Sequence, residues 1–240
     1  MLVRNWMCRP PVTVTADAPL QTAVELLTTH NIHLLPVVDN GQLIGVITDM
    51  DIKRASTSEV FSSEDPELAR SISKIKVSAI MNKKPITIAE DHTIEEAAAL
   101  LFVHNISGAP VVNPAGKIVG VITKNDIFRM VIALTGTKKK GIQFGLKLKD
   151  RPGAIKEITD LIREHGGRIA SILSTGRGDE EVYFNVYIRA YSLDLPNRLR
   201  VKEAIRAKAE LLYTVDHEEN TREIYQKATI GKPTAPEGTQ

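Results

Sequence analysis

The sequence predicts an α+β protein: two β-α-β-β-α repeats packed as a pseudo-twofold pair, followed by a ferredoxin-like β-α-β-β-α-β domain. Three observations predict it. The first half matches itself at an offset of about 74 residues, and internal repeats are read before anything else. Each copy ends in the same heptapeptide pattern, Gly45-Val46-Ile47-Thr48-Asp49-Met50-Asp51 and Gly120-Val121-Ile122-Thr123-Lys124-Asn125-Asp126. Beyond a basic, glycine-flanked stretch, Thr135 to Gly141, the order of apolar runs changes to the ferredoxin-like one.

The repeats align element by element. Met7 to Val14 matches Met81 to Ile88, His30-Asn31-Ile32 matches His104-Asn105-Ile106, and Pro36-Val37-Val38 matches Pro110-Val111-Val112. A short strand opens each copy, at Val12 to Thr15 and at Ile86 to Ala89. Asp17 is then expected to cap a helix carrying Leu20, Ala23, Val24 and Leu27 at helical spacing, and Asp91 its counterpart with Ile94, Ala97, Ala98 and Leu101. Two apolar strands follow. The first hairpin turns at Asn40-Gly41, a strong tight-turn signal, and the second at Asn113 to Gly116. One copy is too small to bury its own faces well, and two packed together solve that problem.

The expected boundaries are residues 1–56 and 76–134 for the repeats, with a connecting segment over 57–75 that includes helical turns at Pro66 to Ile72. A solvated linker spans 135–140. The ferredoxin-like domain spans 141–217, with strands at Ile142 to Leu148, Arg168 to Thr175, Glu181 to Ala190 and Glu210 to Val215. Its helices are Ala154 to His165, ended by Gly166-Gly167, and Arg198 to Ala207. Residues 218–240, rich in Gly and Pro toward the end, read as a mobile tail.

Composition excludes several classes. Hydrophobic content of 42% and charged content of 25% are those of a globular protein. A net charge of +2 argues against nucleic acid as a partner. A lone cysteine, Cys8, rules out an internal disulfide framework and fits a reducing compartment. No apolar run approaches the roughly 20 residues of a membrane span, and Met1 to Cys8 lacks the apolar core of a signal peptide. The expected location is the cytoplasm.

The heptapeptides carry the chemistry. Thr48 with Asp51, and Thr123 with Asp126, fit a capping box, which is a sufficient structural role by itself. They also lie where a strand meets a helix N-terminus, and there free N–H groups and the helix dipole favour a phosphate. A carboxylate beside the threonine suits the two hydroxyls of a ribose.

The unit Val-Thr-Val, Asn-Ile-x-x-x-Pro-Val-Val, Gly-Val-Ile-Thr-x-x-Asp resembles the CBS (cystathionine β-synthase) domain, and two in tandem resemble a Bateman module. The resemblance implies a regulatory module that binds AMP, ADP, ATP or S-adenosylmethionine in clefts between the repeats. It places Thr48 and Thr123 at phosphate, Asp51 and Asp126 at ribose, and Val46 and Val121 on adenine. His33-Leu34 and Ser107-Gly108 would line base and sugar, with Thr13 and Thr87 approaching from the first strands. His33 and Leu34 are bulkier than their counterparts, and Asp49 stands where the second copy has Lys124, so the second cleft is expected to be roomier and more hospitable to phosphate.

Lys149-Asp150-Arg151-Pro152-Gly153-Ala154-Ile155 resembles the first loop of the ACT domain, an amino-acid-sensing module. That resemblance implies an amino-acid site at Asp150, Arg151, Pro152, Gly153 and Arg168. Serine-binding members have asparagine where Asp150 and Arg168 stand. The alternative is an Asp150–Arg168 ion pair in a domain that only dimerises. The whole architecture resembles bacterial acetoin-utilisation-associated proteins with a CBS pair and an ACT domain, and also receptors for cyclic di-adenosine monophosphate.

The leading reading is a non-catalytic sensor with an adenosine nucleotide as regulatory ligand, no obligatory cofactor or metal, homodimeric, acting on an unidentified target protein. An enzyme would need a convergent nucleophile or acid–base pair. His30 and His104 sit late in helices, where capping or packing is their default, and Cys8 has no evident activating base. A dimerising scaffold without ligand is the third reading.

Overall fold

A computed structural model describes residues 1–57, 75–176 and 182–225. The expected helical turns at Pro66 to Ile72 and the tail from Ile230 lie outside these residues. The chain divides into two compact units inside one helix, after Phe128.

The first unit holds both repeats. In repeat one, β1 (Val14–Thr15) lies parallel to β2 (Leu34–Asp39), which pairs antiparallel with β3 (Gln42–Thr48). Helix α1 (Leu20–Thr29) crosses between β1 and β2, and α2 (Asp49–Thr57) follows β3. After the short α3 (Val77–Ile80), repeat two copies the plan with β4 (Ile88–Ala89), α4 (Ile94–Val103), β5 (Gly108–Val112), β6 (Ile118–Thr123) and α5 (Lys124–Leu134). Both hairpins carry a register shift at the same place, Val37/Val38 and Val111/Val112. The first turns through Asn40 and Gly41, both at positive φ, as the right-handed twist of a two-residue turn demands.

The lead-in segments are exchanged. Residues before repeat one pair with repeat two: Val3 N–H donates to His92 O (2.9 Å), and Cys8 and Val121 exchange two backbone hydrogen bonds. Residues before repeat two pair with repeat one: Leu20 N–H donates to Ile75 O (2.7 Å), and Asn82 and Val46 exchange two bonds. This mutual exchange is the pseudo-twofold relation in backbone terms. It also caps an open edge on each three-stranded sheet. The apolar face of α1, Leu20, Ala23 and Leu27, is buried against Val14, Leu35, Val37, Ile47 and Val77.

Two capping expectations are corrected. Asp17 does not cap α1; the N-cap is Pro19, which has no side chain to offer, and Asp17 pairs instead with Lys76 (2.8 Å). Nor does Asp91 cap α4. Thr93 does, in a capping box with Glu96. Both helices start later than the nearest acidic residue suggests, because Pro19 and Thr93 already have the extended backbone an N-cap needs. His30 and His104 occupy C-cap positions.

The second unit is a five-stranded antiparallel sheet in the order β11-β10-β7-β9-β8. Its strands are β7 (Ile142–Lys149), β8 (Arg168–Thr175), β9 (Tyr183–Tyr191), β10 (Glu210–Asp216) and β11 (Thr221–Ile224). Helices α6 (Ala154–Glu164) and α7 (Leu195–Arg206) cover one face, enclosing Phe144, Leu146, Ile158, Ile162, Val186, Ile188, Val201 and Ile205. Strands β7 to β10, in the sheet order β10-β7-β9-β8, are those of the expected ferredoxin-like arrangement. Helix α7 begins three residues before Arg198, because Asp194 caps it and Pro196 fits its first turn. The expectation that everything after 217 is tail is corrected by β11, a polar strand that Lys202 holds through Glu223 (2.7 Å). The expected solvated linker is pinned in its backbone: Thr135 O accepts from Arg189 Nε (2.8 Å) and Ser171 Oγ (3.0 Å), while Lys138 to Lys140 stay exposed.

Candidate functional site

Strand β3 delivers Thr48 to the N-terminus of α2, and there the expected capping box forms. Asp51 Oδ2 accepts from Thr48 N–H (2.9 Å) and Thr48 Oγ1 (2.6 Å), while Asp51 N–H donates to Thr48 Oγ1 (3.2 Å). Strand β6 does the same for Thr123 and Asp126, at 2.8, 2.6 and 3.3 Å. The two constellations superimpose in every bond, so the differences between them lie around the pair. Asp126 is 5% exposed, whereas Asp51 is only half-buried.

Around the first pair, Asp49 Oδ2 stands 3.2 Å from His33 Nδ1 and 3.7 Å from Lys53 Nζ. Around the second, the corresponding positions hold Lys124, Ser107 and Phe128. Asp49 N–H donates to His33 O (3.3 Å) and Lys124 N–H to Ser107 O (2.9 Å), so the backbones match while the side chains differ. Gly108 stands where the other copy has buried Leu34, and its surroundings are close. A Cβ at 108 would stand 3.0 Å from Ile122 O and 3.1 Å from Thr123 Cγ2.

Leu34, Val46 and Val121 are buried together in one small apolar cluster. Val46 and Val121, predicted as two separate base contacts, therefore meet near the pseudo-twofold relation. Thr13 and Thr87 immediately precede β1 and β4; Thr13 is half-buried and Thr87 exposed, and neither bonds to a Thr–Asp pair.

Gly45, Gly120, Met7 and Met81, which recur in the two copies, have a packing role that the repeat pattern alone does not reveal. A Cβ on Gly45 would lie 2.8 Å from Asn82 O and 2.9 Å from Met81 Sδ; on Gly120, 2.9 Å from Cys8 O and 2.6 Å from Met7 Sδ. These glycines admit the exchanged segments against the strands that carry the Thr–Asp pairs. The recurrence itself was legible, since glycine and methionine stand at equivalent positions in both copies.

In the second unit, Asp150, Arg151, Pro152 and Gly153 line a depression of about 650 Å³ with Ala154, Lys156 and Phe184. Gly153 adopts positive φ (84°) as the N-cap of α6, which a side chain would strain. Arg151 is engaged by Glu157 in a bidentate pair (2.8 and 2.7 Å). Arg168 is not at this depression. Asp150 follows the end of β7 that pairs with Tyr183, whereas Arg168 pairs with Tyr191 at the other end of β9. Within one chain the expected Asp150–Arg168 ion pair does not form, because the sheet's length separates the two. A buried ion pair of this unit joins Arg198 to Asp216 (2.9 Å), with Glu218 also bonded to Arg198. Burial raises the Asp216 carboxyl, but the backbone N–H groups of Glu219 and Glu218 and the Arg198 guanidinium outweigh it and hold it below the usual range.

Among the described residues no group of three or more His, Cys, Asp or Glu is placed to hold a metal. No described helix is long and apolar enough to cross a membrane.

Two β-α-β-β-α units with exchanged lead-in segments and a duplicated Thr–Asp helix cap define a tandem-repeat module. The chain belongs to the CBS-domain family, whose model matches residues 3–58 and 77–133. It is 35% identical over 133 residues to a CBS domain-containing protein of Dictyostelium discoideum, covering 55% of this chain and 92% of that one. It is also 35% identical over 130 residues to L-aspartate semialdehyde sulfurtransferase of Methanocaldococcus jannaschii, covering 54% of this chain but 23% of that enzyme. The chain spans less than half the length of several curated relatives it matches. Among solved structures it is similar to the CBS domain pair of protein MJ0100 in complex with 5′-methylthioadenosine and S-adenosyl-L-methionine. That likeness is 34% identity at a TM-score of 0.46, over 55% of this chain and 99% of that one.

Proposed function

We propose that the protein is a non-catalytic, ligand-sensing regulator that binds adenosine-containing ligands in the two clefts of its CBS pair. The observation that carries this reading is the duplicated Thr–Asp pair. In each copy a carboxylate oxygen sits 2.6 Å from a threonine hydroxyl, at a helix N-terminus reached by a strand bearing one valine of the shared apolar cluster. A ribose diol can donate to that carboxylate, a phosphate can accept from the helix N-terminal N–H groups, and a base can lie on the valines. The same oxygens serve cap and ligand, so binding couples to the helix start. A ligand then biases the relative packing of the repeats by its differential affinity for the two arrangements.

The second unit is proposed as an ACT-type module, with an amino acid at the Asp150–Gly153 depression or with dimerisation as its whole role. Homodimerisation is supported by exposed apolar side chains, Phe102 at 62% and Phe128 at 61%. The target would be another cytoplasmic protein. Calorimetric titration with AMP, ATP, S-adenosylmethionine and cyclic di-adenosine monophosphate tests the reading. Saturable heat with at least one of them is expected. No heat and no thermal shift with any would favour a ligand-free scaffold, and multiple-turnover ATP hydrolysis would overturn the non-catalytic role.

A further inference from the structure

We infer that the two clefts sort adenosine ligands by the charge of the 5′ substituent: the Lys124 cleft takes a 5′-phosphate, the Asp49 cleft an uncharged or cationic group. The inference rests on the adenosine reading above and adds which ligand class each cleft accepts.

Asp49 and Lys124 are the first residues of α2 and α5, each two positions before the aspartate assigned to ribose. Their backbones are fixed alike, each N–H bonded to the carbonyl of the residue just before the central strand. A 5′ substituent on a ribose held at Asp51 or Asp126 therefore meets the same point of the frame, occupied by opposite charges. At the first helix start, Asp49 has Lys53 Nζ at 3.7 Å among the described residues. At the second, Asp126 is engaged by Thr123, and Lys124 and Phe128 occupy the positions of Asp49 and Lys53. Lys124 enters no ion pair among the described residues. The next position is arginine in both copies, Arg54 and Arg129, and so does not discriminate.

Sterics act in the same direction. His33 stands 3.2 Å from Asp49, where the second copy has the smaller side chain of Ser107. A phosphate entering the first cleft meets a carboxylate held in place by two partners. In the second it meets an ammonium that loses no partner by turning to it.

The test is calorimetric titration of the full chain with AMP and, separately, with adenosine, for the native protein and for Lys124→Gln, Lys124→Arg and Asp49→Asn. The native chain is expected to bind one AMP tightly and a second weakly. Lys124→Gln should weaken the tight AMP step by about tenfold or more while moving adenosine by less than about twofold. Lys124→Arg should restore it, and Asp49→Asn should strengthen the weak AMP step. Equal losses of AMP and adenosine in Lys124→Gln, or an Asp49→Asn variant with unchanged AMP steps, would overturn the charge selection and leave the adenosine reading standing. No heat from either ligand with the folded native chain would overturn both.

Discussion

The two CBS repeats share a scaffold down to individual hydrogen bonds, yet they differ in almost every side chain that surrounds those bonds. Both hold a threonine hydroxyl 2.6 Å from a carboxylate. One surrounds it with Asp49, His33 and Lys53, the other with Lys124, Ser107 and Phe128. The difference teaches that duplication kept the hydrogen bonds of the helix caps while side chains beside them diverged. The glycines fixed in both copies have a local backbone reason, whereas the diverging pairs include exposed His33 and Ser107 and buried Leu34 and Gly108.

The sharpest way to break this comparison is at the fixed glycines. Gly45→Ala and Gly120→Ala each drive a Cβ to within 2.9 Å of a backbone carbonyl on the exchanged segment. Each should destabilise the first unit by about 2–3 kcal/mol in urea unfolding, about equally. A tolerant Gly45 with an intolerant Gly120 would mean that only one exchanged segment is tightly held.

Next come the aspartates. Asp126→Ala and Asp51→Ala each remove the reciprocal cap, at about 1–2 kcal/mol. Asp126 is the more deeply buried, so its loss should cost more stability and weaken AMP more. Equal losses of affinity in two variants that remain folded would refute the asymmetry of the clefts.

A smaller contrast lies at α1 and α4. Thr93→Ala removes a side-chain cap and should cost about 1 kcal/mol in thermal unfolding. Asp17→Ala should leave the melting temperature unchanged, since its partner among the described residues is exposed Lys76 and water screens the pair.

The smallest effect is the pH dependence of the cap that starts α4. The backbone N–H and side chain of Thr93 hold the Glu96 carboxyl below its ordinary value of 4.5. A carboxyl lowered on folding adds stability that is present above the unfolded value and lost as pH falls through the folded one. The stability gap between the native chain and Glu96→Gln should therefore close as pH drops below about 4.5, whereas no titrating cap starts α1. A gap that widens in acid would show that Glu96 does not act through the cap.

Much of this was legible. The element order, the Asn40-Gly41 turn and both Thr–Asp boxes follow from local patterns, because turns and caps are decided within four residues. The Asp17 and Asp91 caps were misread for the same reason: several residues near a helix start can cap, and the chosen one depends on where the backbone leaves its extended form. Strand β11 was missed because a short polar strand on a sheet edge has no apolar alternation to betray it. Asp150 and Arg168 were paired by resemblance, and only the register of β7, β9 and β8 reveals that they lie at opposite ends of the sheet.

By itself, the sequence determined that there are two copies of one unit followed by a different one, and which residues cap the helices that carry the duplicated motif. Those are consequences of short-range periodicity and hydrogen bonding. Only the tertiary structure decided that each lead-in segment crosses to the other repeat, that Gly45 and Gly120 exist to admit it, and that Val46 and Val121 share one apolar cluster. The physical reason is that an unpaired strand edge accepts any backbone able to approach it. Which backbone arrives is settled by packing between residues some 40 to 110 positions apart in the chain.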